Sequence, residues 1–331
     1  MTRLVSFDIA KVLCIILVVI GHYFPGDSPQ WYTTFRSWIY SFHMPLFMFA
    51  SGYIYMAFKR EESYTIFLIK KIRRLMVPYF VVSIIVVSIK LATQSSMYVQ
   101  NPVTAMSYVK ILYLPEAGYF LWFIWALFTM FLLVPFFKTK MARLVLFVIA
   151  IVLHYLPIEG PAIFALQNSM HMLVYFMLGV CCVDWGLSSI MNRMNTRAYQ
   201  GICFMTVACF ALISVLRFCF DFFVGGRLLP WLGIASVMAV SSFLAKYAKG
   251  RLLNLILTVS ASNYIIYLFH TTFEGFAKAL LQKMHICVVN GDVTFIVEAV
   301  LVIFLGVVCP IMLDVLILRK FKVTKILFGL K

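Results

Sequence analysis

The chain has 331 residues, of which 63% are apolar and only 12% charged, with a mean hydropathy of +0.98. Soluble domains carry about a quarter charged residues, so this composition excludes a water-soluble enzyme and specifies an all-α integral membrane protein of about ten transmembrane helices. The net charge of +16 does not reopen a nucleic-acid reading, because the cations fall between apolar runs rather than on one soluble face.

The first span, 7–24, reads FDIAKVLCIILVVIGHYF and holds three ionisable side chains, Asp8, Lys11 and His22. A charge at the centre of a membrane helix costs about 2.5 kcal/mol or more, so such groups mark function. Asp8 and Lys11 are three residues apart and can pair on one face, which lowers the cost of holding Lys11. Lys11 and His22 are eleven apart, so they share one face about 16 Å apart along the axis. Gly21 beside His22 permits close approach of another group. An apolar surround favours the neutral imidazole, the form a general base requires. The run is too long for a cleavable signal and is expected to be a retained anchor.

The second span, 38–58, opens with Ser41-Phe42-His43-Met44-Pro45-Leu46-Phe47. Pro45 is expected to kink it and make a cavity wall beside His43, at a depth similar to His22. The loop that follows carries Lys70, Lys71, Arg73 and Arg74, two cation pairs three residues apart that suit phosphate oxygens or anionic lipid. The remaining spans are 74–94, 118–137, 143–157, 165–185, 199–220, 228–248, 253–274 and 293–318. No internal repeat or low-complexity segment interrupts them, and residues 1–331 read as a single domain. Glu274 with Lys278 and Arg217 with Asp221 are spaced as helical ion pairs. Glu298 lies one turn inside the last span. Glu116 and Trp122 flank the start of the fourth.

Topology follows from the cations. With the N-terminus cytoplasmic, the inner segments collect 20 of the 28 Lys and Arg, among them Arg3, Arg193 and Lys331. That bias predicts both termini inside and an even number of spans. His22, His43, His154, His171 and His270 then fall in the outer halves of their spans, and His285 in an outer loop. The eight cysteines show no metal-ligand spacing, and no metal site is expected; all but Cys287 lie in apolar runs, where Cys behaves as a small hydrophobe.

Together, Asp8-x-x-Lys11-x(10)-His22, the Phe42–Phe47 segment running on to Ser51-Gly52-Tyr53, and the basic pairs leading to Pro78-Tyr79 resemble the type 3 membrane acyltransferase family, most of all its fucose 4-O-acetylase-like, polysaccharide O-acetylating members. Leu121-Trp122-Phe123, Phe176-Met177-Leu178-Gly179 and Tyr264–His270 extend the resemblance over most of the chain. The resemblance implies a multi-pass protein of the bacterial plasma membrane. It moves an acyl group, by default acetyl, from cytoplasmic acyl-CoA to a hydroxyl of a cell-envelope polysaccharide or lipid-linked sugar. It implies that His22 is catalytic, that Lys11 with Asp8 supports the donor, and that Lys70, Lys71, Arg73 and Arg74 bind CoA phosphates. His43 would assist at the reaction centre. Glu116, Trp122, His270 and Glu298 are the acceptor-site candidates. Acetyl-CoA is then a co-substrate, with no permanently bound cofactor; the partners are the donor, the glycan and membrane lipids. Many relatives carry Arg at the position of Lys11, and Lys gives up bidentate contact. With no appended esterase-like domain in these 331 residues, the chain is expected to act on its acceptor directly. The rival reading is a transporter or flippase of an anionic or lipid-linked solute. The lack of a visible inverted repeat counts against it, and a purely structural membrane protein would not need the Lys11–His22 pair.

Overall fold

In the computed structural model, residues 4–26, 28–96, 99, 101–156, 160, 162–187, 189, 194, 196–220, 223–284 and 291–330 are described. Arg3, Arg193, Asp221, His285, Cys287 and Lys331 lie outside them. Among the described residues the chain is helical and contains no strand. The helices are α1 (Val5–His22), α2 (Gln30–Tyr40), α3 (His43–Ala57), α4 (Tyr64–Thr93), α5 (Tyr119–Phe136), α6 (Lys140–Tyr155), α7 (Ile163–Asp184), α8 (Thr196–Cys219), α9 (Phe223–Tyr247), α10 (Gly250–Lys283) and α11 (Asp292–Leu318). Short helical turns occupy Ser107–Lys110 and Lys322–Leu327.

Eight of these, α1, α4, α5 and α7–α11, are long and apolar enough to cross a membrane. The other two expected spans are shorter: α3 has 15 residues and α6 has 16, where a crossing takes about 20. Outward-facing side chains confirm the solvent. On α8 Phe204 and Met205 are 76% and 65% exposed, and Phe210 is its buried residue. A helix this apolar leaves such faces open only to lipid.

The chain divides into two compact units. The first comprises Met1–Ile54 and Cys182–Ile311. Within it α1 packs against α9 and α10, and α8 packs against α9. A cluster of Tyr23, Tyr32, Ala277, Leu281, Phe295, Ala299 and Val302 gathers α1, α2, α10 and α11 around one end of α1. Phe42, Phe210 and Leu229 form a second. Gly233 of α9 permits it, because a Cβ there would stand 2.5 Å from the Phe42 Cβ.

The second unit comprises Tyr55–Cys181 and Met312–Lys331. Tyr55, Phe67, Phe131 and Phe176 form its aromatic centre, with ring centroids 5.7–6.0 Å apart. The Tyr79 hydroxyl lies 3.0 and 2.8 Å from the carbonyls of Ile111 and Leu114, which ties the 101–118 segment to α4.

Two local expectations are corrected. Pro45 is the third residue of α3, where the amide hydrogen it lacks has no intrahelical partner to lose, so it starts the helix rather than kinking it. The break lies instead at Ser41-Phe42, between α2 and α3. The basic run is not a loop. Ser63 caps a helix start at Tyr64, its Oγ accepting from the Ile66 amide at 3.4 Å, and α4 continues through Lys70–Arg74. A π-turn over Ile72–Met76, closed by the Val77 amide onto the Ile72 carbonyl, widens the helix just before Pro78. That wider turn accommodates the ring of Pro78, which would otherwise press on the preceding turn.

Candidate active site

The first unit places the polar groups of α1 at its two ends. Near the start, Lys11 Nζ pairs with Asp8 Oδ1 at 2.9 Å, as the three-residue spacing requires. Ser260 of α10 donates to the same carboxylate oxygen at 2.6 Å. Asp8 is only 5% exposed, and both contacts compensate its burial. α1 is then unbroken to His22, which keeps Lys11 and His22 on one face.

At the far end, the last carbonyls of α1 have no partner within the helix. α2 supplies the donors. Tyr32 Oη donates to the Ile20 carbonyl at 2.6 Å, and Arg36 Nε to the Gly21 carbonyl at 2.7 Å. A cation at a helix C-terminus is also favoured by the aligned peptide dipoles. The Arg36 guanidinium lies over the rings of Phe24 and Tyr40, 4.3 and 4.5 Å from their centroids. Tyr40 crosses Gly21 so closely that a Cβ there would stand 2.9 Å from its Cε2. This brings Tyr40 Oη to 3.3 Å from the Gly21 carbonyl and 3.5 Å from His22 Nδ1.

Two further histidines join His22. The His270 ring on α10 is centred 4.9 Å from the His22 ring. His43, at the start of α3, is centred 4.8 Å from the same Tyr40 ring that meets His22. Cys14 of α1 donates to the His43 carbonyl at 3.0 Å, which holds the start of α3 against α1. Both rings are fully buried. His43 Nδ1 lies 2.8 Å from the Ile39 carbonyl, and His270 Nδ1 lies 3.1 and 2.9 Å from those of Ile266 and Tyr267. A carbonyl only accepts, so in each ring Nδ1 carries the hydrogen and Nε2 the lone pair. One turn beyond His270, Glu274 is 4% exposed, and its Oε1 has no hydrogen-bond partner. Its expected partner Lys278 sets Nζ over the Tyr23 ring, 4.8 Å from the centroid. Arg217 lies at the end of α8, opposite Gly226 of α9, while Asp221 falls outside the described residues.

Of the acceptor-site candidates, His270 thus stands against His22. Glu298 is half-buried on α11, with no hydrogen bond or ion pair to the histidines. Glu116 and Trp122 belong to the second unit. There Glu116 Oε1 accepts from Ser107 at 3.2 Å and faces Lys110 Nζ at 3.6 Å, which ties it to the 101–118 segment. Trp122 is half-buried in the first turns of α5. The four cations of α4 have different surroundings. Lys71 turns inward, its Nζ 3.6 Å from the Phe131 centroid and 5.1 Å from that of Phe67. Lys70 pairs with Glu62. Arg73 and Arg74 are exposed. A π-turn over Ile72–Met76 carries Arg73 and Arg74, one turn beyond Lys70 and Lys71. His154 and His171 share a separate arrangement: each faces the other's carbonyl with Nδ1, at 2.8 and 3.3 Å, and Tyr175 Oη lies 3.2 Å from His154 Nε2.

Sequence reasoning missed Arg36, Tyr40 and Ser260. The first two had one local signal, their four-residue spacing on a short amphipathic helix. Ser260 had none.

Comparisons with known proteins place this helical membrane architecture in a family. Two relatives, both named nodulation protein NolL, share parts of the sequence. That of Mesorhizobium japonicum is 31% identical over 137 residues, which cover 40% of this chain and 35% of the relative. That of Sinorhizobium fredii is 42% identical over 57 residues, 16% of each. The chain thus spans at most about a third of the length of the curated relatives it matches. No solved structure matches. The match to a family model is far more extensive: the acyltransferase-domain model aligns with residues 4–315, from the first turn of α1 into α11. The chain is a multi-pass membrane protein that belongs to the acyltransferase 3 family.

Proposed function

We propose that this acyltransferase takes an acyl group, by default acetyl, from acyl-CoA and places it on a hydroxyl of a cell-envelope polysaccharide or lipid-linked sugar. His22 is the general base. The observation that carries the reading is the His22 environment: an imidazole ending a membrane helix, beside His270 and Tyr40, within a family match covering residues 4–315. In the reaction His22 takes the proton of the acceptor hydroxyl as its oxygen bonds to the thioester carbonyl carbon. The C–S bond breaks, and the proton passes to the departing sulfur, so the products are the sugar ester and free CoA thiol. His43 and His270, each with Nδ1 committed to a backbone carbonyl, flank the base and assist the proton transfer. Lys11, held by Asp8 and Ser260, supports the donor. Lys70, Lys71, Arg73 and Arg74 bind its phosphates, the exposed Arg73 and Arg74 foremost. The Lys and Arg bias supports cytoplasmic termini in a bacterial plasma membrane, and with them delivery of the donor from the cytoplasm. The family match removes the reason to prefer transport.

The test uses purified protein and its His22→Ala variant with radiolabelled acetyl-CoA and an envelope glycan extract. Base-labile label on the glycan is expected with the unmodified protein and not with the variant. Transfer that survives the substitution refutes the role of His22. No transfer with any acyl-CoA refutes the donor.

A further inference from the structure

His43 and His270 each commit Nδ1 to carbonyls of the preceding turn, those of Ile39 and of Ile266 and Tyr267. His22 meets a side chain from another helix at the same atom. We propose that Tyr40, held by Arg36, is the positioning residue that keeps the His22 proton on Nδ1 and leaves Nε2 as the base. The proposal deepens the reading of His22 given above and rests on it.

The assignment follows from which atoms are able to donate. The Gly21 carbonyl, 3.3 Å from Tyr40 Oη, only accepts, so the Tyr40 hydroxyl proton points to it. The Arg36 guanidinium only donates, and its terminal nitrogen lies 3.4 Å from the same Oη. With its own proton committed, Oη meets His22 Nδ1 at 3.5 Å as an acceptor, and Nδ1 must carry the hydrogen. The other ring nitrogen keeps its lone pair, as in His43 and His270, so the cluster presents three Nε2 lone pairs. The geometry is braced from both sides. Arg36 grips the Gly21 carbonyl through Nε and lies over the Tyr40 face. Gly21 lacks the Cβ that would push the ring away. The ionisable groups that face His22 are Arg36 and Tyr40 from α2, His43 from α3 and His270 from α10. A base whose tautomer is fixed by a hydrogen bond at its other nitrogen loses activity when that bond is lost, because part of the population then holds the proton on the wrong atom.

Tyr40→Phe keeps the ring against Gly21 and removes one oxygen. In the purified full-length protein, kcat for acetyl transfer is expected to fall about tenfold, ~1.4 kcal/mol, with the KM for acetyl-CoA unchanged. Nitrogen-15 spectra of histidine-labelled protein, with the His22 signals assigned by their loss in His22→Asn, are expected to show an Nδ1-protonated ring in the unmodified protein and a mixture in Tyr40→Phe. Arg36→Lys keeps the charge but loses the guanidinium fork. It is expected to give the same mixture with a smaller loss, about threefold. An unchanged His22 tautomer in both variants overturns the proposal, whatever the rate. So does a His22 ring protonated on Nε2 in the unmodified protein. Full activity of His22→Ala sinks the catalytic reading instead, and leaves the spectra to judge the tautomer.

Discussion

Lys11→Met removes the cation that faces Asp8 and keeps the apolar stem. Asp8, 5% exposed inside a membrane helix, keeps the hydrogen bond from Ser260 of α10 at 2.6 Å but loses its counter-charge. Breaking a buried ion pair costs about 3–5 kcal/mol. Lys11 is 27% exposed, which lets solvent or lipid headgroups share its charge and reduces the expected loss to about 2.5 kcal/mol. Asp8→Asn leaves the cation without its carboxylate but retains a hydrogen-bonding side chain, and costs about 1.5 kcal/mol. Removing both charges together is nearly compensated, at about 1 kcal/mol. The double-mutant cycle therefore predicts a coupling of about 3 kcal/mol, the two single losses less the loss of the double variant. The assay is reversible unfolding by SDS titration in mixed micelles, followed through the six tryptophans. Additive losses, with coupling under about 0.5 kcal/mol, would refute the view that the pair is a buried unit and return Lys11 to an exposed, independent cation.

The other predictions follow from single contacts. Gly233→Ala drives a Cβ to 2.5 Å from the Phe42 Cβ and is expected to destabilise by about 1–3 kcal/mol in the same titration; an unchanged midpoint would mean that α9 and Phe42 do not pack as described. Tyr79→Phe removes the hydroxyl that holds the Ile111 and Leu114 carbonyls, and is expected to speed proteolytic cleavage of the 101–118 segment; unaltered cleavage rates would contradict that anchor. Replacing Arg73 and Arg74 with Ala is expected to raise the KM for acetyl-CoA at least threefold in correctly inserted protein, and unchanged donor saturation would refute phosphate binding there. Arg319→Met opens a two-pronged contact to the fully buried Asp314 carboxylate, at 3.0 and 2.8 Å, and is expected to cost about 2–3 kcal/mol; Asp314→Leu added to it should recover most of that.

The class of protein was legible in composition, and the polar pair of α1 in spacing, because both depend on neighbours within one helix. Asp8 and Lys11 pair as a three-residue separation dictates. The errors were also local. Hydropathy marks where apolar side chains begin, so the basic stretch of α4 read as a loop although nothing in it stops a helix before Pro78. Pro45 read as a kink because the boundary between α2 and α3 at Ser41-Phe42 is apolar on both sides and leaves no composition signal.

By itself, then, the sequence determined a helical membrane protein whose first span carries a cation and a histidine in line, together with a resemblance to acyltransferases. Tertiary structure alone decided what surrounds that histidine. His270 is 248 residues away along the chain, and Arg36 and Tyr40 reach it only because α2 folds back over the open carbonyls at the end of α1. No periodicity links residues on different helices. The need of a helix terminus for hydrogen-bond donors, met here by α2, is what brings a tyrosine to His22.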